Sequence, residues 1–135
     1  MAFVVDRTGS VGIENFRLVK GFLLELSDAL IIGPKETHTG YILFAATPQV
    51  LNNFANLKFH SSETVHQLIQ SIRETLGPRT YIDRALRAAA EKLFTKEGGD
   101  RPEFPTVLIL LTDGRTNVNS EPLSNIIPSD RKSVV

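Results

Sequence analysis

The stretch FVVDRTGSVG, residues 3 to 12, carries an apolar run into an aspartate that is followed by hydroxyl side chains at alternate positions. Phe3 to Val5 has the composition of a short buried strand. Gly9 and Gly12 let the chain bend out of it towards a helix starting near Ile13. Asp6, Thr8 and Ser10 then crowd three oxygen-bearing side chains into one strand-to-helix turn. Two readings suit that turn. Hard divalent cations such as Mg²⁺ take oxygen ligands, which makes it half of a cation site; in the other reading Thr8 and Ser10 merely cap the following helix.

The rest of the chain is that of one ordinary globular domain: 135 residues, 41% of them hydrophobic, enough to bury a sizeable core. Fifteen basic and fifteen acidic residues cancel, so no electrostatic footprint for nucleic acid or an anionic membrane is present. Cysteine is absent, which removes disulfides, thiolate catalysis and zinc–thiolate sites. No run approaches the roughly 20 apolar residues of a membrane span, so no membrane insertion is expected. The segment after Met1 enters a strand directly and lacks a charged n-region, so it does not read as a signal peptide. The chain is then either cytosolic or a piece of a longer protein.

Ile13, Phe16, Val19, Phe22, Leu23, Leu26 and Leu30 recur at helical steps and predict an amphipathic helix of about 17 residues, stopped before Gly33-Pro34. Thr39 to Ala46 reads as a buried strand, and Val50 to Phe54 as its antiparallel hairpin partner, with two asparagines that suit a sheet edge. Ser61 and Ser62 can cap a second helix with Val65, Leu68, Ile69, Ile72 and Leu76 on one face, ending at Gly77-Pro78. A third helix carries Ile82, Ala85, Leu86, Ala89, Leu93 and Phe94, closed by Gly98-Gly99. Thr106 to Leu111 (TVLILL) is the most apolar run and reads as a strand buried on both faces, ending in Thr112-Asp113-Gly114.

Strands and helices that alternate over short connections predict a doubly wound α/β domain on a mostly parallel sheet with one antiparallel edge strand. Walking the chain up and down this sheet brings the Asp6 loop, the turn holding Thr80 and the Asp113 turn to the same carboxyl end, where open α/β folds place ligands. Asp6, Thr8, Ser10, Thr80 and Asp113 supply only oxygen donors, which suits Mg²⁺ or Mn²⁺ and disfavours zinc or copper.

These loops resemble the von Willebrand factor type A domain, whose metal-ion-dependent adhesion site (MIDAS) is a D-x-S-x-S loop, a later threonine and an aspartate opening a D-G turn. The match falls on DRTGS, on Thr80 in GPRTYIDRAL and on Asp113 in LILLTDG. ENFRLVKGFLLEL and RALRAAAEKLF are also similar to the family's first and third main helices. Thr8 stands where serine is common, and it keeps the hydroxyl. The resemblance implies a Rossmann-like fold, with Thr8 and Ser10 contacting the cation directly and Asp6 and Asp113 acting largely through water. It covers roughly residues 2 to 114, a partial domain truncated after the fourth core strand. The C-terminal third is then missing, and residues 115 to 135 are an irregular or disordered tail. On that expectation the TVLILL strand has an open apolar edge.

The resemblance further implies a cation-dependent adhesion module, not an enzyme. It would engage an acidic side chain of a partner, a collagen or another matrix protein, from an extracellular or secreted parent, with cytoplasmic placement left open. A Mg²⁺-dependent phosphoryl-transfer domain is the competing class, since it too gathers aspartates at the carboxyl ends of parallel strands. Such an enzyme needs a second D-x-D aspartate, a G-x-x-x-x-G-K loop or a histidine at that end, and the loops offer none. An intracellular assembly domain of the same family is a third option. Beside the functional readings stand bland ones: Asp113 as a turn residue, Thr80 as a helix cap, Asp83 as a first-turn helix charge. His38, His60 and His66 fall at the far end and read as solvated or structural. Arg7 and Arg115 flank the site and could meet an acidic partner, though solvated loop arginines are the commoner case.

Overall fold

A computed structural model of the chain describes residues 1–113 and the strand pairing of Ser133–Val134. The elements are β1 (Ala2–Asp6), α1 (Ile13–Ala29), β2 (Gly40–Phe44), β3 (Pro48–Asn52), α2 (Ser62–Gln70), α3 (Ile82–Lys92), β4 (Val107–Leu111) and β5 (Ser133–Val134), with a 3-10 turn at Leu57–Phe59. They form one sheet in the order β3-β2-β1-β4-β5. β1 lies parallel between β2 and β4, and among the described residues only β3 runs antiparallel, at one edge. This is the doubly wound architecture that the alternating pattern predicts.

Side-chain alternation along β1 divides the core in two. Ala2 and Val4 face α3, joining Ile42, Phe44, Leu86, Ala89 and Leu93, whereas Phe3 and Val5 face α1 and α2, joining Phe16, Leu23, Val65 and Ile69. Each large side chain buried this fully contributes about 1.5–3 kcal/mol of transfer free energy. One polar bridge runs through the second layer. Tyr41 stacks on Phe3 at 4.9 Å between ring centroids, and its hydroxyl meets Ser27 Oγ at 2.6 Å. At the β2–β3 bulge Asn52 takes over the pairing, accepting from Tyr41 N at 3.1 Å and donating to Thr39 O at 2.9 Å.

Four expectations need correction. β3 spans Pro48–Asn52, two residues earlier than expected, because the turn is tight enough for Pro48 to pair with Phe44. α2 stops at Gln70, not at Gly77-Pro78: Ser71 Oγ donates back to Leu68 O at 2.6 Å, and Ile72 turns into the core while its carbonyl accepts from Lys20 Nζ at 2.7 Å. The apolar spacing of Ile72 therefore reflects burial of a non-helical segment. β4 does not have a wholly open edge either, since Val107 and Leu108 pair in parallel with Ser133 and Val134. The tail expected to be irregular thus contributes a strand, and residues 114–132 and 135 lie outside the described residues. Among the described residues no helix is long and apolar enough to cross a membrane.

Candidate functional site

The carboxyl ends of β1, β2 and β4 lie side by side, and backbone hydrogen bonds lace their loops together. Arg7 N donates to Phe44 O at 2.9 Å, Gly9 N to Gly77 O at 3.0 Å, and Gly77 N to Arg7 O at 2.9 Å, so residues 7–9 and 77 make a short parallel bridge. Tyr81 N donates to Ala45 O at 3.3 Å, which adds the β2–β3 turn to the same platform. A side chain at position 77 is excluded, because its Cβ would stand 2.8 Å from Ala45 Cβ.

Asp6 is the centre of the D-x-T-x-S loop and is almost completely buried. Its Oδ1 accepts from Thr8 N at 2.9 Å and from Thr8 Oγ1 at 2.6 Å, and its Oδ2 accepts from Thr112 Oγ1 at 2.7 Å. Thr8 Oγ1 and Ser10 Oγ are 2.9 Å apart. Because the single hydroxyl proton of Thr8 goes to Asp6, Ser10 is the donor between the two hydroxyls. Thr8 oxygen lone pairs are thereby aimed towards Ser10 and the loop mouth. The alternation D-x-T-x-S is what places all three side chains on one side of the turn.

Asp6, Ser10, Thr112 and Asp113 border a groove of about 310 Å³ whose apolar wall is formed by Val11, Val19, Leu110 and Leu111. Asp113 is exposed at its rim. Thr80 is buried three residues beyond Gly77, after Arg79, whose φ of 60° is the left-handed conformation that non-glycine side chains rarely adopt. The groove thus gathers three of the five expected residues, Thr8 sits directly beneath, and Thr80 belongs to the loop tied to Thr8 through Gly77. The N-cap position of α3 falls on Tyr81, not on Thr80, and Asp83 lies in the first turn of α3 as a helix charge does.

Arg7 is tied to neighbouring loops. Its guanidinium donates to Thr75 O at 2.8 and 3.1 Å, to the Thr75 hydroxyl and to Gln49 Oε1 at 3.3 Å, which makes it an internal latch between loops. Arg115 lies outside the described residues. Sequence reading missed Thr112, for which the only cue was a hydroxyl next to Asp113, and it missed the Arg7–Thr75 latch, which leaves no periodic trace. No cluster of three or more His, Cys, Asp or Glu side chains placed to hold a metal occurs among the described residues, so a cation at this loop would rest on hydroxyls and scattered carboxylates. That all-oxygen chemistry fits a hard divalent ion.

Comparison with known proteins agrees with this geometry. The family model of the von Willebrand factor type A domain matches residues 1–134. Matrilin-3 of Gallus gallus is 31% identical over 118 residues, which are 85% of this chain and 25% of that protein. Integrin alpha-2 of Mus musculus is 30% identical over 118 residues, 87% of this chain and 10% of that protein. The chain therefore spans a quarter or less of these two relatives. The structure of proximal thread matrix protein 1 from the mussel byssus superposes with a TM-score of 0.86 at 23% identity, covering 99% of this chain and 36% of that one. A form of the same mussel protein with a zinc-occupied MIDAS motif superposes at 0.77, with 25% identity over 90% of this chain and 32% of its own. The manganese-loaded TRAP protein of Plasmodium vivax superposes at 0.75, with 22% identity over 86% of this chain and 46% of its own. The family match over residues 1–134 and the relatives at 30% identity or more lead to one conclusion: this chain belongs to the von Willebrand factor type A domain family.

Proposed function

We propose that the domain is a divalent-cation-dependent protein-binding module of adhesion type, acting outside the cell as part of a longer protein. Thr8 and Ser10 would hold Mg²⁺ or Mn²⁺ through their hydroxyls, with Thr80 from the neighbouring loop, while Asp6 and Asp113 supply charge around them. The observation that carries the reading is the Asp6 carboxylate, which spends three hydrogen bonds on orienting Thr8 and Thr112 instead of facing solvent. A first shell made largely of neutral hydroxyls leaves a bound cation strongly electrophilic, so an acidic side chain from a partner is the fitting last ligand.

Relatives named as matrilins, an integrin and a collagen chain support a partner in the extracellular matrix, collagen among the candidates. Metal-loaded family neighbours support the cation, although theirs are zinc and manganese. An enzymatic reading has less behind it: the carboxyl-end loops described above hold neither a histidine nor a phosphate cradle. Binding of the parent protein to immobilised collagen, followed by surface plasmon resonance in Mg²⁺, in EDTA and after Mn²⁺ is restored, tests the proposal. Loss in EDTA with recovery in Mn²⁺ is expected, and binding that persists unchanged in EDTA would move the interface to another face.

A further inference from the structure

At the opposite end of the sheet from the groove, two histidines from different loops stack face to face. His38, in the strap between α1 and β2, and His60, in the loop between β3 and α2, have ring centroids 3.8 Å apart and planes inclined by 12°. Each uses Nε2 on a carbonyl of its own loop: Pro34 O at 2.9 Å for His38 and Phe54 O at 2.7 Å for His60. A carbonyl only accepts, so both Nε2 atoms carry a proton. Both Nδ1 atoms are buried without a hydrogen-bond partner. We propose that the His38–His60 stack is an acid-released clasp that holds the strap of residues 31–39 against the loop of residues 53–60.

A second proton on His38 would go to Nδ1, where it would find no acceptor and would face the other ring across the stack. The charges around His38 make this worse. Arg101 donates to Glu36 O at 2.7 Å and lies over the Phe104 ring, and the Met1 ammonium donates to His38 O at 2.7 Å. Asp100 lines the same small cavity as His38 and Arg101, with its carboxylate accepting from Thr106 Oγ1 at 3.2 Å, and the Glu36 carboxylate turns to Lys35 N. Burial first, and then His60 and Arg101, hold His38 below the usual histidine range, against the opposing pull of its bond to Pro34. The sign follows. A histidine whose folded pKa is depressed stabilises the fold above about pH 6.5, and that contribution is lost as pH falls below it.

Amide hydrogen exchange, corrected for the intrinsic pH dependence, tests the clasp between pH 7.5 and 5.5. Amides whose bonds close the two segments, Thr37 N to Ile31 O and His60 N to Leu57 O, are expected to lose protection several-fold, up to about tenfold, at pH 5.5 while those of β1 hold. His38→Gln should lower protection at pH 7.5 and flatten the pH response. His66→Gln should leave the response intact, because His66 pairs with Asp28 at 3.1 Å on the helices. Unchanged protection across the range, or a response abolished by His66→Gln, would overturn the proposal. If His38→Gln does not fold, ring ¹⁵N shifts of the wild type decide: unprotonated Nδ1 in His38 at pH 7.5 is required, and protonated Nδ1 there contradicts it.

Discussion

Thr112 at the end of β4 donates its hydroxyl proton to Asp6 at the end of β1, Oγ1 to Oδ2 at 2.7 Å, across 106 residues of chain. This bond fixes the second oxygen of a carboxylate whose first oxygen already orients Thr8. Removing it leaves a buried acceptor short of a donor, at a cost of about 1–3 kcal/mol. Thr112→Val is therefore expected to lower the urea midpoint and to weaken Mg²⁺ binding several-fold. Denaturant titration and calorimetry measure the two effects on one sample. Thr112→Ser, which keeps the hydroxyl, should restore most of both.

The Arg7 latch makes a separate prediction. Its guanidinium reaches Thr75 and Gln49 with several hydrogen bonds, and a lysine ammonium cannot reproduce that fork. Arg7→Ala should destabilise the domain by about 1–2 kcal/mol, discounted for exposure, and Arg7→Lys should recover only part of it. Proteolysis of native protein should then cut first within residues 73–80.

Tyr41 supplies a test at high pH. Burial pushes its phenol up to about 12, opposed by the hydrogen bond from Ser27. A tyrosine whose folded pKa is raised stabilises the fold fully below pH 10, and that stabilisation disappears as pH rises from 10 through about 12. Alkaline unfolding followed by circular dichroism should therefore begin above pH 10 in the wild type. In Tyr41→Phe it should begin at higher pH, with stability at pH 7 lower by about 1–3 kcal/mol because Ser27 loses its partner.

How much of this was legible in the sequence depended on whether the determinant was periodic. The α3 stripe repeats at helical spacing and the TVLILL run stands out by its apolarity, so both elements and their topology could be read directly, and three loops could be brought to one end of the sheet; burial of that strand on both faces was not met, since within Val107–Leu111 only Leu108 is fully buried. Ile72 misled because a single buried residue just past the end of a helix has the same spacing as another helical turn. Thr112, Asn52 and the Arg7–Thr75 latch act through one long-range hydrogen bond each or a few, and nothing local marks them. The histidine stack is of the same kind. Placing His38 and His60 at the far end was within reach, but their contact depends on how two loops fold back.

The most direct measurement is titration calorimetry of Mg²⁺ and Mn²⁺ into the wild type, Ser10→Ala and Asp113→Ala, with circular dichroism of each. Ser10 and Asp113 are exposed at the groove, so neither change should disturb the core. One saturable site is expected in the wild type, with affinity reduced about tenfold or more in each variant, roughly 1.4 kcal/mol or above, and with unchanged spectra. Equal affinity in all three proteins would contradict a cation site at the D-x-T-x-S loop.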